Sequence, residues 1–142
     1  MSAEREQESP DSGAKRDPVV GDRTRLWAVR GAVQVEANAR DTILGSTWEL
    51  MRELMSRNRL GPDAIVSCIF TCTDDLDAEF PAVAARDLGL DSVPLLCARE
   101  INVPGAMERV IRVIVHYYGP NEPEHTYLGE AQKLRADLHS AQ

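Results

Sequence analysis

The chain has 142 residues, 43% of them apolar, which suits one globular domain and leaves no stretch long enough to span a membrane. Its net charge of −7 disfavours nucleic acid and anionic membranes as partners, but not a small anion held between converging arginines. Three cysteines, Cys68, Cys72 and Cys97, form no Cys-x-x-Cys pair, and the polar opening Met1-Ser2-Ala3-Glu4 has no apolar secretory segment, so no disulfide framework and a cytoplasmic setting are expected.

Residues 1–24 are polar, contain Pro10 and Pro18, and cannot bury enough apolar surface to offset their ordering entropy. A disordered tail is expected there, with one domain over residues 25–142. Leu26 to Val35 reads as a half-buried strand: Trp27, Val29, Gly31, Val33 and Val35 make an apolar face, and Arg30 belongs to the mixed one. Asn38 to Asn58 reads as a helix with Asn38 as N-cap and Asp41 at N3. Its apolar stripe is Ile43, Leu44, Thr47, Trp48, Met51, Leu54 and Met55, and Gly61-Pro62 stops it.

Ala64 to Thr73 is a second strand and Thr73 to Leu76 a turn. Asp77 to Leu88 follows as a loop and short helix, with Pro81 near its first position and Gly89 closing it. Val93 to Ala98 is a short third strand, Ile101 to Gly105 a turn, and Glu108 to Tyr118 the most apolar strand of the chain. After the turn at Gly119-Pro120-Asn121, residues 124–134 read as a helical turn followed by a short strand ending near Arg135. The sum is an α/β (α+β) domain: a mixed sheet of about five strands with two main helices. Two helices cover only one face of such a sheet, so the other face calls for a partner.

Arg112 interrupts the apolar run Val110-Ile111-Arg112-Val113-Ile114-Val115. A guanidinium there needs a carboxylate, a cavity or an interface, and an internal pair with Glu100 and a ligand clamp both satisfy that need. Arg30 is flanked by small residues that leave room for a ligand, though a solvent-facing strand arginine fits equally. Cys97 and Glu100 lie three apart. The thiol is a candidate nucleophile without a paired histidine or a small buried hydrophobe, and the carboxylate a hydrogen-bond acceptor or a surface charge. Tyr127 reads as core or as a site hydroxyl. His116, His125 and His139 are scattered, so no metal site is expected, and no nucleotide-binding or Ser-His-Asp motif is present.

Five of these segments together resemble the AroH-class chorismate mutases. They are Ala28 to Glu36, Asp75-Leu76-Asp77-Ala78-Glu79-Phe80-Pro81-Ala82-Val83-Ala84-Ala85-Arg86, Val93 to Glu100, Ile111-Arg112-Val113 and His125-Thr126-Tyr127-Leu128. The likeness runs in order from about Leu26 to Leu138. It implies a trimeric pseudo-α/β-barrel with clefts between subunits, the Phe80–Arg86 segment of one facing the strands of the next. It also implies rearrangement of chorismate to prephenate without a cofactor. Carried over onto this chain, Arg112 donates to the ether oxygen and Arg30, with Tyr127 beside it, binds the side-chain carboxylate. Glu100 and Cys97 engage the ring hydroxyl, Phe80, Ala82 and Leu95 wall the ring, and Arg86 and Arg135 guard the mouth. Val83 stands where the family often has lysine, and Leu96, also at the site, where threonine is common; weaker substrate binding is the expected consequence. The rival readings are a YjgF-like trimeric imine deaminase and a noncatalytic metabolite-binding module.

Overall fold

The computed structural model describes residues 24–135, so the expected N-terminal tail lies outside the described residues but for Thr24. In chain order the elements are β1 (Arg25–Gln34), α1 (Arg40–Arg57), β2 (Ile65–Cys72), α2 (Ala82–Ala85), β3 (Leu95–Arg99), β4 (Val110–Gly119) and β5 (Thr126–Tyr127). The strands form one sheet in the order β3-β2-β4-β1-β5. β4 runs antiparallel to both its neighbours, and β3 and β5 add parallel strands at the edges. The most apolar strand therefore lies at the centre, where both its edges are paired and one face is covered.

Strand periodicity divides the sheet cleanly. Val29 and Val33 of β1, Phe70 of β2, and Ile111, Val113 and Val115 of β4 are buried on one face. Against them α1 packs Ile43, Thr47, Leu50, Met51 and Leu54. Leu50 belongs to this stripe although its spacing was not singled out, and Trp48, expected within it, is exposed. Gly31 lets the helix approach: a Cβ there would lie 2.9 Å from the Thr126 carbonyl oxygen and 3.1 Å from the Cδ1 atoms of Leu50 and Leu54. The opposite face carries Arg30, Thr71, Leu96, Arg112, Ile114 and Tyr118; Tyr127 and Ala131 bury Ala32 and Val110 at its β1–β5 side, and the rest has no covering layer among the described residues.

Two local expectations give way to tertiary contacts, and one helix stop shifts locally. Asn38 does not cap α1; Ala39 holds that place without a side-chain bond. Asn38 Oδ1 instead accepts the N–H groups of Asp77 and Ala78, both at 3.0 Å, and its Nδ2 donates to Asp77 Oδ1 at 2.8 Å. A long-range clamp with three bonds outcompetes one local cap. α1 ends at Arg57 with Asn58 as its C-cap, as expected, but the left-handed residue that follows is Arg59, at φ 56°, rather than Gly61. The C-terminal order is the reverse of that expected: β5 comes first and a helical turn from Gly129 follows, because Thr126 and Tyr127 pair with Gly31 and Ala32 at the sheet edge.

Candidate active site

β1, β2 and β4 place their half-buried polar residues side by side on the uncovered face. Register aligns Thr71 with Arg112 across β2 and β4, and Ala32 with Arg112 across β1 and β4. Glu100, one residue past β3, is tied to the end of β2 by its N–H, which donates to the Cys72 carbonyl at 2.9 Å. These constraints gather Arg30, Gly31, Thr71, Glu100, Arg112 and Tyr127 around an open cavity of about 190 Å³.

Arg112 resolves the cost of its apolar strand by pairing. Its Nε lies 3.1 Å from Glu100 Oε2, with the Arg112 side chain 42% and the Glu100 side chain 22% exposed. The pair is electrostatic rather than an aligned hydrogen bond, since the Nε–H does not point at the carboxylate and Nε, sealed from solvent, has no hydrogen-bond acceptor. The Thr71 hydroxyl donates to the same Oε2. The Arg30 backbone N–H donates to Nδ1 of His125 at 3.0 Å, which requires that nitrogen to be unprotonated. Burial, then Arg30 and Arg135, hold the His125 imidazole below its ordinary pKa. Arg135 reaches the His125 carbonyl with Nη1 at 3.4 Å, so it stands beside the residue that accepts from the Arg30 N–H. No carboxylate among the described residues pairs with the Arg30 guanidinium. The face thus presents arginines in excess of the single Glu100, a field suited to a dicarboxylate.

A second cleft, about 440 Å³, opens at the other edge of the sheet. Phe80, 67% exposed, faces it with Cys97, Arg99, Cys72, Glu79 and Pro81. The segment ahead of α2 is held out by the Asn38 clamp and by Arg40, whose Nε is 2.9 Å from Glu79 Oε2. Arg86 is exposed where α2 passes into a wider helical turn, and Gly89 at φ 92° ends that turn. Burial pushes the Cys68 thiol up to about 12 and the Cys72 thiol up to about 11, which marks neither as a ready nucleophile.

The predicted site residues therefore fall into two groups rather than one. Arg30, Glu100, Arg112 and Tyr127 share the open-face cavity, and Arg135 lies outside its lining, beside His125. Phe80 and Cys97 line the edge cleft. Leu96, 60% exposed, lies on the open face at the β3 edge, while Leu95 packs partly against the core. Ala82 is 3% exposed within the core, so its methyl walls nothing that a ligand reaches inside one chain. Cys97 and Glu100 cannot engage one ring hydroxyl from the same chain: on an extended segment residues three apart point to opposite faces, a signal the sequence already held. Thr71 and Arg99 are not among the expected site residues, and His125 is expected only as part of the His125–Leu128 segment. Their roles follow from register and from strand edges, which no local pattern reveals.

The model of type I chorismate mutases matches residues 26–138. Chorismate mutase AroH of Thermus thermophilus is 43% identical over 119 residues, spanning 80% of this chain and 97% of that protein. Chorismate mutase AroH of Bacillus subtilis is 34% identical over 117 residues, spanning 80% and 92%. Among solved structures, the chorismate mutase from Clostridium thermocellum superposes with a TM-score of 0.74 at 44% identity, covering 75% of this chain and 98% of that one. These relatives lend no support to the deaminase or the noncatalytic reading.

Proposed function

The chain belongs to the type I chorismate mutase family and is a chorismate mutase, and we propose that it works through clefts shared between three copies, each built from one chain's open-face cavity and a neighbour's edge cleft. Two features of the single chain support this arrangement. The uncovered sheet face exposes Leu26, Leu96 and Tyr118, an apolar surface with no cover among the described residues. The arginine cavity, about 190 Å³, is smaller than the roughly 300 Å³ or more of typical small-molecule sites, so it needs a second wall. Phe80, Leu96 and Cys97 from the adjoining chain would supply that wall, with Arg86 at the mouth. This also reunites Cys97 and Glu100 at one substrate.

The conversion of chorismate to prephenate is a [3,3]-sigmatropic shift, in which a C–O bond breaks as a C–C bond forms. The protein has two tasks: to fold the enolpyruvyl arm over the ring, and to stabilise negative charge growing on the ether oxygen. In this reading Arg30 grips the side-chain carboxylate, with Tyr127 beside it, and Glu100 accepts the ring hydroxyl. Arg112 donates to the ether oxygen, where a fixed cation stabilises the transition state more than the ground state.

The observation that carries the reading is the Arg112–Glu100 pair at 3.1 Å in an open cavity rather than a closed core. The test is turnover of chorismate, followed by loss of its diene absorbance, with the native assembly measured by sedimentation. Arg112→Ala is expected to lower kcat by about 100-fold or more while the assembly persists. A near wild-type rate in that variant removes Arg112 from the mechanism, and a monomer at working concentration removes the shared clefts.

A further inference from the structure

Thr71 lines the arginine cavity and has no part in the mechanism above. It stands beside Arg112 in register, and its hydroxyl donates to Glu100 Oε2, the oxygen nearest Arg112 Nε. Among the described residues, these are the only hydrogen bond and ion pair of the Glu100 carboxylate, so Oε1 is unengaged. Arg112 is similarly divided. Of its three nitrogens only Nε is both sealed and without an acceptor, and the two terminal nitrogens have no partner among the described residues.

A sealed guanidinium N–H with no acceptor favours any movement that gives it one. The nearest such movement is rotation of Glu100 into a two-bond fork with Arg112, the geometry that arginine and carboxylate ordinarily prefer. That closure would engage Oε1 and one terminal nitrogen, the atoms a substrate needs. The Thr71 hydroxyl opposes it by anchoring Oε2 on the β2 side, so that the carboxylate turns toward Arg112 only by giving up that bond. Resting on the site reading above, we propose that Thr71 is a positioning residue that keeps the Glu100–Arg112 pair open, so that one carboxylate oxygen and both terminal guanidinium nitrogens stay available to chorismate.

The proposal distinguishes a missing hydroxyl from a missing volume. Thr71→Val keeps the shape and β-branching and removes the donor; Thr71→Ser keeps the donor and removes a methyl. Steady-state turnover of the native assembly is measured for both, with Arg112→Lys alongside. Thr71→Val is expected to lose about tenfold or more in kcat, because an Arg112 nitrogen held in the fork no longer reaches the ether oxygen, and to raise KM, because the same closure withdraws Oε1 from the ring hydroxyl. Thr71→Ser is expected to recover kcat to within about threefold of wild type. Wild-type kcat in Thr71→Val, or a Thr71→Ser no better than Thr71→Val, overturns the proposal. If the valine variant fails to assemble, Thr71→Ala replaces it under the same two criteria. Should Arg112→Lys retain full turnover, the site reading fails; should it lose turnover while Thr71→Val does not, only the role of Thr71 falls.

Discussion

Gly31→Ala adds one methyl group where the structure has no space for it. The new Cβ would sit 2.9 Å from the Thr126 carbonyl oxygen, a backbone atom that cannot rotate away. It would also sit 3.1 Å from the Cδ1 atoms of Leu50 and Leu54, both fully buried and unable to swing outward. Overpacking of this kind costs about 1–3 kcal/mol, and in a domain of about 100 residues each kcal/mol lowers Tm by roughly 4–8 °C. The easiest relief is displacement of β5 from β1, which moves Tyr127 and loosens the His125 bond to the Arg30 N–H at 3.0 Å. Activity should therefore fall with stability, mainly through a raised KM. Gly45→Ala is the control: a Cβ there meets nothing within 4 Å, and in mid-helix it should add about 0.5–1 kcal/mol. Urea unfolding and chorismate turnover are measured on both variants. A Gly31→Ala protein with a midpoint at or above wild type would refute the packing argument, whatever its activity.

Three further outcomes can be read from charge, burial and donor strength. His125 is held below its ordinary value of 6.5 by burial and by Arg30 and Arg135, so the unfolded chain takes up its proton first. Its contribution to stability is complete above about pH 6.5, is lost as pH falls through the depressed native pKa, and levels off below it. The urea midpoint should drop between pH 7 and pH 5 by more in wild type than in His125→Gln, and equal drops would contradict this. With thiols at about 12 and about 11, Cys68 and Cys72 are thiolate in only about one molecule in ten thousand and one in a thousand at pH 8, so both should alkylate far more slowly in native protein than in urea. Rapid native labelling of Cys68, read by peptide mass, would show that the core opens. Cys97→Ala should cost turnover much less than Arg112→Ala, because a thiol is a weak donor; complete loss in a well-assembled protein would point to covalent chemistry.

Much of this protein is legible from residue order alone, because period-two and period-3.6 burial patterns act over a few residues. β1, α1, β2 and β4 lie within a residue or two of where alternation and helical spacing place them, and Gly89 ends its turn in the left-handed region as a glycine there should. Arg112 within an apolar strand already called for a carboxylate, a cavity or an interface, and the structure gives it Glu100 and an open cavity. What local pattern could not decide was partnership. Asn38 has the chemistry of a helix cap, yet it spends its amide on Asp77 and Ala78, which lie 39 and 40 residues away. The order of elements after Asn121 depended on the free edge of β1, and only pairing with Gly31 and Ala32 makes Thr126–Tyr127 a strand. The division of the predicted site into two clefts is likewise a property of the sheet. Side chains near in sequence on a strand point apart, whereas Thr71, Glu100 and Arg112, far apart in the chain, meet because hydrogen-bond register brings their strands together.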